Sequence, residues 1–152
     1  MTELTTAPDF TLPQDGGDPV TLSALRPSPV VLFFYPRDNT SGCTKEAIGF
    51  TEALPAFEAL GVKVFGVSKD SLASHEKFRE KQGLSVSLLS DENGDLSERL
   101  GVWKEKSMYG KKFWGIERST FLIDGTGTIV REWRKVKVAG HVEEVLEAAR
   151  AL

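Results

Sequence analysis

The chain has little of several features that would point to a particular partner or compartment. It contains one cysteine among its 152 residues, so it can form no intramolecular disulfide and has no Cys-x-x-Cys pair for dithiol chemistry. This scarcity of cysteine favours a reducing compartment. The net charge of −3 provides no general electrostatic attraction to nucleic acid or to an anionic membrane. We therefore expect neither a nucleic-acid partner nor a membrane partner.

Long apolar runs are absent as well. No run approaches the roughly 20 residues that a membrane-spanning helix needs. The first residues, Met-Thr-Glu-Leu-Thr-Thr-Ala-Pro, show neither the basic nor the apolar region of a secretory signal. Length and composition, with 40% hydrophobic and 27% charged residues, are ordinary for one globular domain, which we predict to span residues 1–152. The expected location is the cytoplasm.

Residues that bind metals or cofactors are also scarce. His75 and His141 are the only histidines, and neither has a ligand-like spacing to Cys43, so we expect no zinc site. His75 is followed by charged residues and is predicted to lie on a solvated helix face. The segment 124–127, Asp-Gly-Thr-Gly, is predicted to be a hairpin turn and not a phosphate loop, because no helix follows it. We expect no cofactor.

The most informative stretch is residues 35–44, Tyr-Pro-Arg-Asp-Asn-Thr-Ser-Gly-Cys-Thr. A short apolar run before it, residues 30–34, is typical of a buried strand, and a helical pattern follows to residue 60. Cys43 therefore falls in the first turn of a helix. The free N–H groups and the helix dipole there favour a thiolate. Thr40 supplies a hydroxyl that can bond the sulfur or an incoming oxygen.

A structural interpretation of Cys43 is also open, because free cysteine is among the most often buried residue types. Cys43 begins an apolar stripe at helical spacing, which continues with Ala47, Phe50, Leu54 and Phe57. On this hypothesis the chain is an inert scaffold.

The remaining elements predict an α/β fold. Residues 9–12 and 19–22 indicate a β-hairpin at one end of the domain. Strands are predicted at 62–68, 87–91, 118–123 and 128–138, and helices at 71–82, around 96–100 and at 141–149. Residues 102–116 are predicted to be a loop with some strand character, with solvated lysines and packed aromatics. The order indicates a thioredoxin-like, mixed central sheet with helices on both faces.

The pattern Pro36-x-x-x-Thr40-x-x-Cys43 resembles the active-site signature of the peroxiredoxins. The flanking residues 34–36 and 42–47 are similar to the Q-type branch, also called bacterioferritin comigratory protein, and residues 115–124 extend the resemblance. It covers nearly the whole chain.

This resemblance implies a peroxidase that reduces hydrogen peroxide and organic hydroperoxides through a sulfenic acid on Cys43. It also assigns Arg118 to the site, where Arg118, Thr40 and the N–H of Cys43 would stabilise developing charge. Pro36 would shield the sulfur. The alternative for Arg118 is a solvent-facing arginine or one paired with Glu46 or Glu117.

The chain departs from the common Q-type pattern in having no second cysteine. Ile48 stands where many relatives carry a resolving cysteine, and the helix at 71–82 has none either. We therefore expect a one-Cys enzyme, with thioredoxin, glutaredoxin or a low-molecular-weight thiol as external reductant. The same absence keeps a second hypothesis open, a peroxide sensor that forms mixed disulfides with partners. The resemblance to the Q-type branch also implies a monomer.

Overall fold

The computed structural model describes residues 5–152, and the first four residues lie outside this description. Ten strands occur in chain order: β1 Thr5–Thr6, β2 Thr11–Leu12, β3 Val20–Thr21, β4 Val30–Phe34, β5 Lys63–Ser68, β6 Ser87–Ser90, β7 Trp103–Met108, β8 Lys111–Ile116, β9 Ser119–Ile123 and β10 Thr128–Arg134. Four α-helices accompany them: α1 Ser41–Ala59, α2 Leu72–Gln82, α3 Leu96–Arg99 and α4 His141–Arg150, with a 3-10 helix at Leu22–Leu25.

Six strands form the central sheet, in the order β1-β10-β9-β4-β5-β6. β4, β5 and β6 run parallel, whereas β9 pairs antiparallel with both β4 and β10. The predicted mixed sheet is therefore confirmed. β10 ends at Arg134, earlier than predicted, because Lys135 adopts a positive φ of 51° that the ladder cannot continue through.

All five residues of β4 are buried, because this strand lies at the centre of the sheet and its two faces support different cores. Residues of alternating parity point to opposite faces. The helix-side core contains Val31 and Phe33 with apolar residues of three helices: Phe50 and Phe57 of α1, Phe78 of α2, and Val142 and Val145 of α4. The hairpin-side core contains Leu32 and Phe34 with Leu12, Val20, Leu96 and Ile116. Both faces are thus covered.

Helix α1 buries the stripe that the sequence predicts. Cys43, Ala47, Phe50 and Phe57 are buried, and the ring of Phe50 stacks on Phe33 with centroids 4.4 Å apart. The helix ends as its last turn closes on Gly61, whose φ of +74° suits glycine and whose N–H donates to the Glu58 carbonyl at 2.9 Å. The stacked rings of Phe33 and Phe50 hold α1 against β4.

The N-terminal hairpin forms as predicted, as the two-stranded pair β2–β3, and its apolar residues join the hairpin-side core. Residues 103–116 are more regular than the predicted loop. They form the antiparallel hairpin β7–β8, closed by Tyr109 and Gly110, both at positive φ. Positive φ at both central residues is typical of the type I′ turn, whose twist matches that of the two flanking strands.

Three of the four aromatics of this hairpin, Tyr109, Phe113 and Trp114, do not pack as expected, whereas Trp103 packs against the hairpin-side core. Tyr109 is 97% exposed and Trp114 is 59% exposed. The prediction was wrong because the hairpin extends away from the core, and among its residues Ile116 alone is buried. None of the helices between residues 5 and 152 combines the length and the apolar character needed to cross a membrane.

The first residue of α4, His141, is a buried titratable group in the helix-side region. Its Nε2 lies 2.8 Å from Thr120 Oγ1, and its ring meets Trp133 edge-on at 5.7 Å. Burial lowers the pKa of His141 from 6.5 to about 4, although nearby Glu144 acts in the opposite direction and Arg118 adds to the decrease. The folded protein therefore holds this imidazole neutral.

We expect His141 to make the fold acid-sensitive. Its folded-state pKa is below the unfolded value, so its contribution is fully present above pH 6.5 and is lost between about pH 6.5 and 4. The predicted decrease in the free energy of unfolding is on the order of 2–3 kcal/mol. Denaturant unfolding of the protein and of His141→Gln at pH 7.5 and 4.5 measures it.

The variant should lose less stability than the parent over this interval, because glutamine does not titrate. His75 titrates in both proteins and cancels in the comparison. Equal losses in the two proteins would contradict the assignment.

Candidate active site

The segment between β4 and α1 places Cys43 at a helix start that faces the end of another strand. Thr40 precedes the helix in an extended conformation, with φ −85° and ψ 153°. Cys43 follows in the first turn and is 1% exposed. Because Phe34 pairs with Ser119 across β4 and β9, the residue before Ser119 reaches the same edge of the sheet. That residue is Arg118.

Arg118 bonds the sulfur directly. Its Nη2 donates to Cys43 Sγ at 3.1 Å. Gly42 leaves the space for this approach, since a Cβ added there would lie 3.1 Å from the same nitrogen. The structure thus brings together two residues 75 positions apart, and Cys43, although buried, is not surrounded by apolar groups alone.

The same guanidinium also pairs with Glu46. Arg118 Nη1 donates to Glu46 Oε1 at 2.7 Å, and this carboxyl is fully buried. Pairing with Glu46 was expected as an alternative to a role at Cys43, but Arg118 makes both contacts. Glu46 stands three residues after Cys43, so both side chains lie on one helix face. This spacing is the signal that could have placed Glu46 in the site.

Burial of Glu46 disfavours its ionised form. Burial raises its pKa from 4.5 to about 7, and Arg118 opposes this increase by charge and hydrogen bonding. Its second oxygen, Oε2, is buried without a hydrogen-bond partner among residues 5–152. Its ionised form therefore depends on Arg118.

Thr40 and Pro36 occupy the loop, but the hydroxyl of Thr40 does not bond the sulfur here. Thr40 Oγ1 donates to the Arg37 carbonyl at 2.9 Å. Asn39, at a φ of 62°, turns the chain between them. Pro36 is half-buried directly after Tyr35. Arg37 is exposed.

A buried polar network holds this loop from beneath. Asp38 accepts hydrogen bonds from Tyr35 Oη at 2.6 Å and from Ser74 Oγ at 2.8 Å, and its other partner is His75 Nδ1 at 2.7 Å. The Asp38 N–H donates to Asp70 at 2.8 Å. The loop is therefore tied to α2 and to the end of β5.

The prediction that His75 lies on a solvated face was wrong. His75 is fully buried, and its Nε2 lies 2.9 Å from the Leu89 carbonyl. The charged neighbours in sequence point outward, while His75 and Phe78, three residues apart, form the buried face of α2. Both ring nitrogens face acceptors, so the imidazolium satisfies both. Burial lowers the pKa of His75, but Asp38 outweighs it and the net pKa is raised.

Ile48, the position of the missing resolving cysteine, is half-buried and packs against the helix-side core. Cys43 is the only cysteine of the chain. The site therefore has one thiol, with one guanidinium against it.

Comparison with known proteins identifies the family to which the chain belongs. Residues 4–132 match the AhpC/TSA family. Peroxiredoxin Bcp of Bacillus subtilis is 47% identical over 144 residues, covering 95% of this chain and 92% of that protein. A PrxQ mutant structure from Xylella fastidiosa aligns with a TM-score of 0.90 and 42% identity, covering 99% of this chain and 98% of that one. A structure that addresses alkyl peroxide reduction by Xanthomonas campestris bacterioferritin comigratory protein aligns with a TM-score of 0.88 and 47% identity, covering 93% and 90%.

The chain has the thioredoxin-like fold of these structures. Its mixed sheet has a cysteine in the first turn of the helix that follows the central strand. The chain belongs to the AhpC/TSA family, in the group of the Bcp and Q-type peroxiredoxins. It is a thiol-dependent peroxidase with a single cysteine. The predicted family, fold and activity are confirmed.

Replacing Arg118 should reveal the buried charge on Glu46. Arg118→Met leaves that carboxylate without a partner. We therefore expect the free energy of unfolding to fall by an amount on the order of 3 kcal/mol at pH 8. The loss should be smaller at pH 5.5, where Glu46, with a pKa of about 7, is already protonated. Denaturant unfolding at the two pH values measures this.

The double variant Arg118→Met/Glu46→Gln is the control, because it removes the charge that lost its partner. It should recover most of the stability lost at pH 8. If it stays as unstable as Arg118→Met, the loss comes from packing and not from Glu46.

Proposed function

We propose that Cys43 is the peroxidatic residue. As a thiolate it attacks one oxygen of the hydroperoxide, so that an S–O bond forms as the O–O bond breaks. The sulfur is oxidised to sulfenic acid, and the other oxygen leaves as hydroxide or alkoxide and takes a proton from water. The observation that supports this role most strongly is the 3.1 Å contact between Arg118 Nη2 and Cys43 Sγ at a helix N-terminus.

Arg118 supplies the positive charge for this step. A guanidinium is permanently charged, and its fork of donors allows one nitrogen to hold Glu46 while another faces the sulfur. The pair with Glu46 fixes the fork before the substrate arrives. A donor already in place stabilises negative charge as it develops on the peroxide oxygens, without reorganisation at the moment of reaction.

Thr40 and Pro36 complete the proposed site. The hydroxyl hydrogen of Thr40 is directed to the Arg37 carbonyl, which leaves the oxygen as an acceptor. That oxygen suits the O–H of an incoming hydroperoxide. Pro36, half-buried and without an N–H, limits the access of water to the sulfur.

The substrates we assign are hydrogen peroxide and organic hydroperoxides. Both supply the O–O bond and the O–H group that the site requires. The Xanthomonas campestris relative, studied for alkyl peroxide reduction, supports inclusion of the larger substrates.

The return of the sulfenic acid to thiol requires an external reductant, since the chain has no second cysteine. We assign this step to thioredoxin, glutaredoxin or a low-molecular-weight thiol. We further propose that the protein acts as a cytoplasmic monomer formed by one domain. A peroxide sensor that forms mixed disulfides is the alternative, because the same missing cysteine prolongs the life of the sulfenate.

Rapid mixing with limiting hydrogen peroxide tests the peroxidatic step. A fast change in tryptophan fluorescence and a trapped sulfenic acid in the intact mass are expected for the protein, and neither for Cys43→Ser. A thiol that survives peroxide unmodified would contradict the proposal. Sustained turnover with an added thiol or thioredoxin supports the enzyme, whereas a sulfenate that only exchanges with partner proteins supports the sensor.

The proposed role of Arg118 also predicts how its loss changes the rate of Cys43 oxidation. In the double variant Arg118→Met/Glu46→Gln, the rate of Cys43 oxidation should fall roughly 10²- to 10³-fold, because one charged donor to the reacting atoms is gone. Arg99→Met, which removes an exposed arginine on α3, should keep the parent rate. An unchanged rate in the folded double variant would limit Arg118 to a structural role.

A further inference from the structure

The charges at the site do not balance with Arg118 alone. One guanidinium contacts two acids, Cys43 through Nη2 and Glu46 through Nη1. When both acids are ionised, two negative charges share one positive charge in a buried region. Like charges this close oppose each other's ionisation, so that one group takes up a proton. A second cation nearby would remove that conflict.

Lys106 is placed to be this cation. It lies on β7 opposite Phe113, and its side chain runs along the hairpin to donate from Nζ to the Ile116 carbonyl. Ile116 is buried two residues before Arg118. The ammonium group is therefore held at the base of the hairpin, where the chain enters the site.

The environment of Lys106 differs from that of the other lysines in the hairpin. Lys104, Lys111 and Lys112 are exposed, whereas Lys106 is half-buried. Its stem lies over Gly115, where an added Cβ would be 3.5 Å from Lys106 Cδ and 3.6 Å from Cε. Packing of the stem limits the positions of the ammonium group, so its charge stays at one place.

The charges of Lys106 and the site act on each other. Burial lowers the pKa of Lys106 and Arg118 lowers it further, while the negative charges of Cys43 and Glu117 raise it. Such coupling is reciprocal: if the thiolate favours the ammonium form of Lys106, the ammonium favours the thiolate by the same free energy. Glu117 faces Lys106 as well and offsets part of its charge.

We propose that Lys106 is a positioning residue of the active site: its ammonium group, held on the Ile116 carbonyl two residues before Arg118, adds positive charge that favours the Cys43 thiolate while Arg118 is shared with Glu46. This inference rests on the proposed role of Cys43 as the reacting thiolate. Lys106 does not touch the substrate. It acts through the charge that it adds beside Arg118.

The single cysteine makes the test direct, because iodoacetamide alkylation reports one thiol. The pH profile of the alkylation rate is measured for the protein and for Lys106→Met. We expect the midpoint of the profile to move upward by about half to one pH unit, as a partly screened charge several ångströms away would produce. Well below the midpoint the rate should fall about 3- to 10-fold.

Three further variants separate charge from structure. Lys106→Gln keeps a donor but loses the charge, so it should behave like Lys106→Met, whereas Lys106→Arg should keep the parent profile. Lys104→Met is the matched control, since it removes an exposed charge from the same strand and the same strand face. Its midpoint should move by less than about 0.2 units, because an exposed charge is screened.

Circular dichroism confirms that each variant is folded, and if Lys106→Met does not fold, Lys106→Gln decides. An unshifted midpoint in the folded neutral variants overturns the proposal, and so does an equal shift in Lys104→Met. The experiment uses no peroxide. If replacing Lys106 shifts the alkylation midpoint but peroxide does not oxidise Cys43 in the parent protein, the proposed role of Cys43 fails and the effect of Lys106 on the thiol stands.

Discussion

The guanidinium of Arg118 is the contact on which the site depends. It holds the Cys43 sulfur with one nitrogen and the buried Glu46 carboxyl with another. Each partner constrains the other: without Arg118 the carboxylate lacks its ion-pair partner, and without Glu46 the fork loses its second anchor. The antiparallel pairing of β4 with β9 makes the contact possible, because it places the start of β9 beside the helix that follows β4. A buried charge is tolerable only with such partners.

The loop that carries Thr40 depends on a second set of buried polar groups. Asp38 collects hydrogen bonds from Tyr35, Ser74 and His75, and Asp70 accepts from the Asp38 N–H. Satisfied networks of this kind fix one arrangement, because any shift leaves a buried polar group unpaired. Rigidity at the loop and at Arg118 together favours catalysis by groups already in place. Ile48 packs into the helix-side core, so the helix has an apolar contact where many relatives carry a cysteine.

Most of the fold could be predicted from local pattern. The apolar run at β4, the stripe on α1 and the helix α2 all appear where the sequence indicates them. A prediction of exposure fails when it rests only on charged neighbours in the sequence. His75 was placed on the solvated face on that basis. The hairpin aromatics were expected to be packed because apolar side chains usually are, yet Tyr109, Phe113 and Trp114 are exposed, and of the four Trp103 alone packs against the hairpin-side core.

The sequence by itself determined that there is one thiol, that it starts a helix after a buried strand, and that the chain has no second cysteine with which it could form a disulfide. These are local or compositional properties. Only the tertiary structure decided that Arg118 meets both Cys43 and Glu46, that Asp38 and His75 form a buried pair, and that Lys106 is held on the Ile116 carbonyl. Such contacts join residues far apart in the chain. Sheet register and helix packing fix their distances, and a short-range pattern does not encode these.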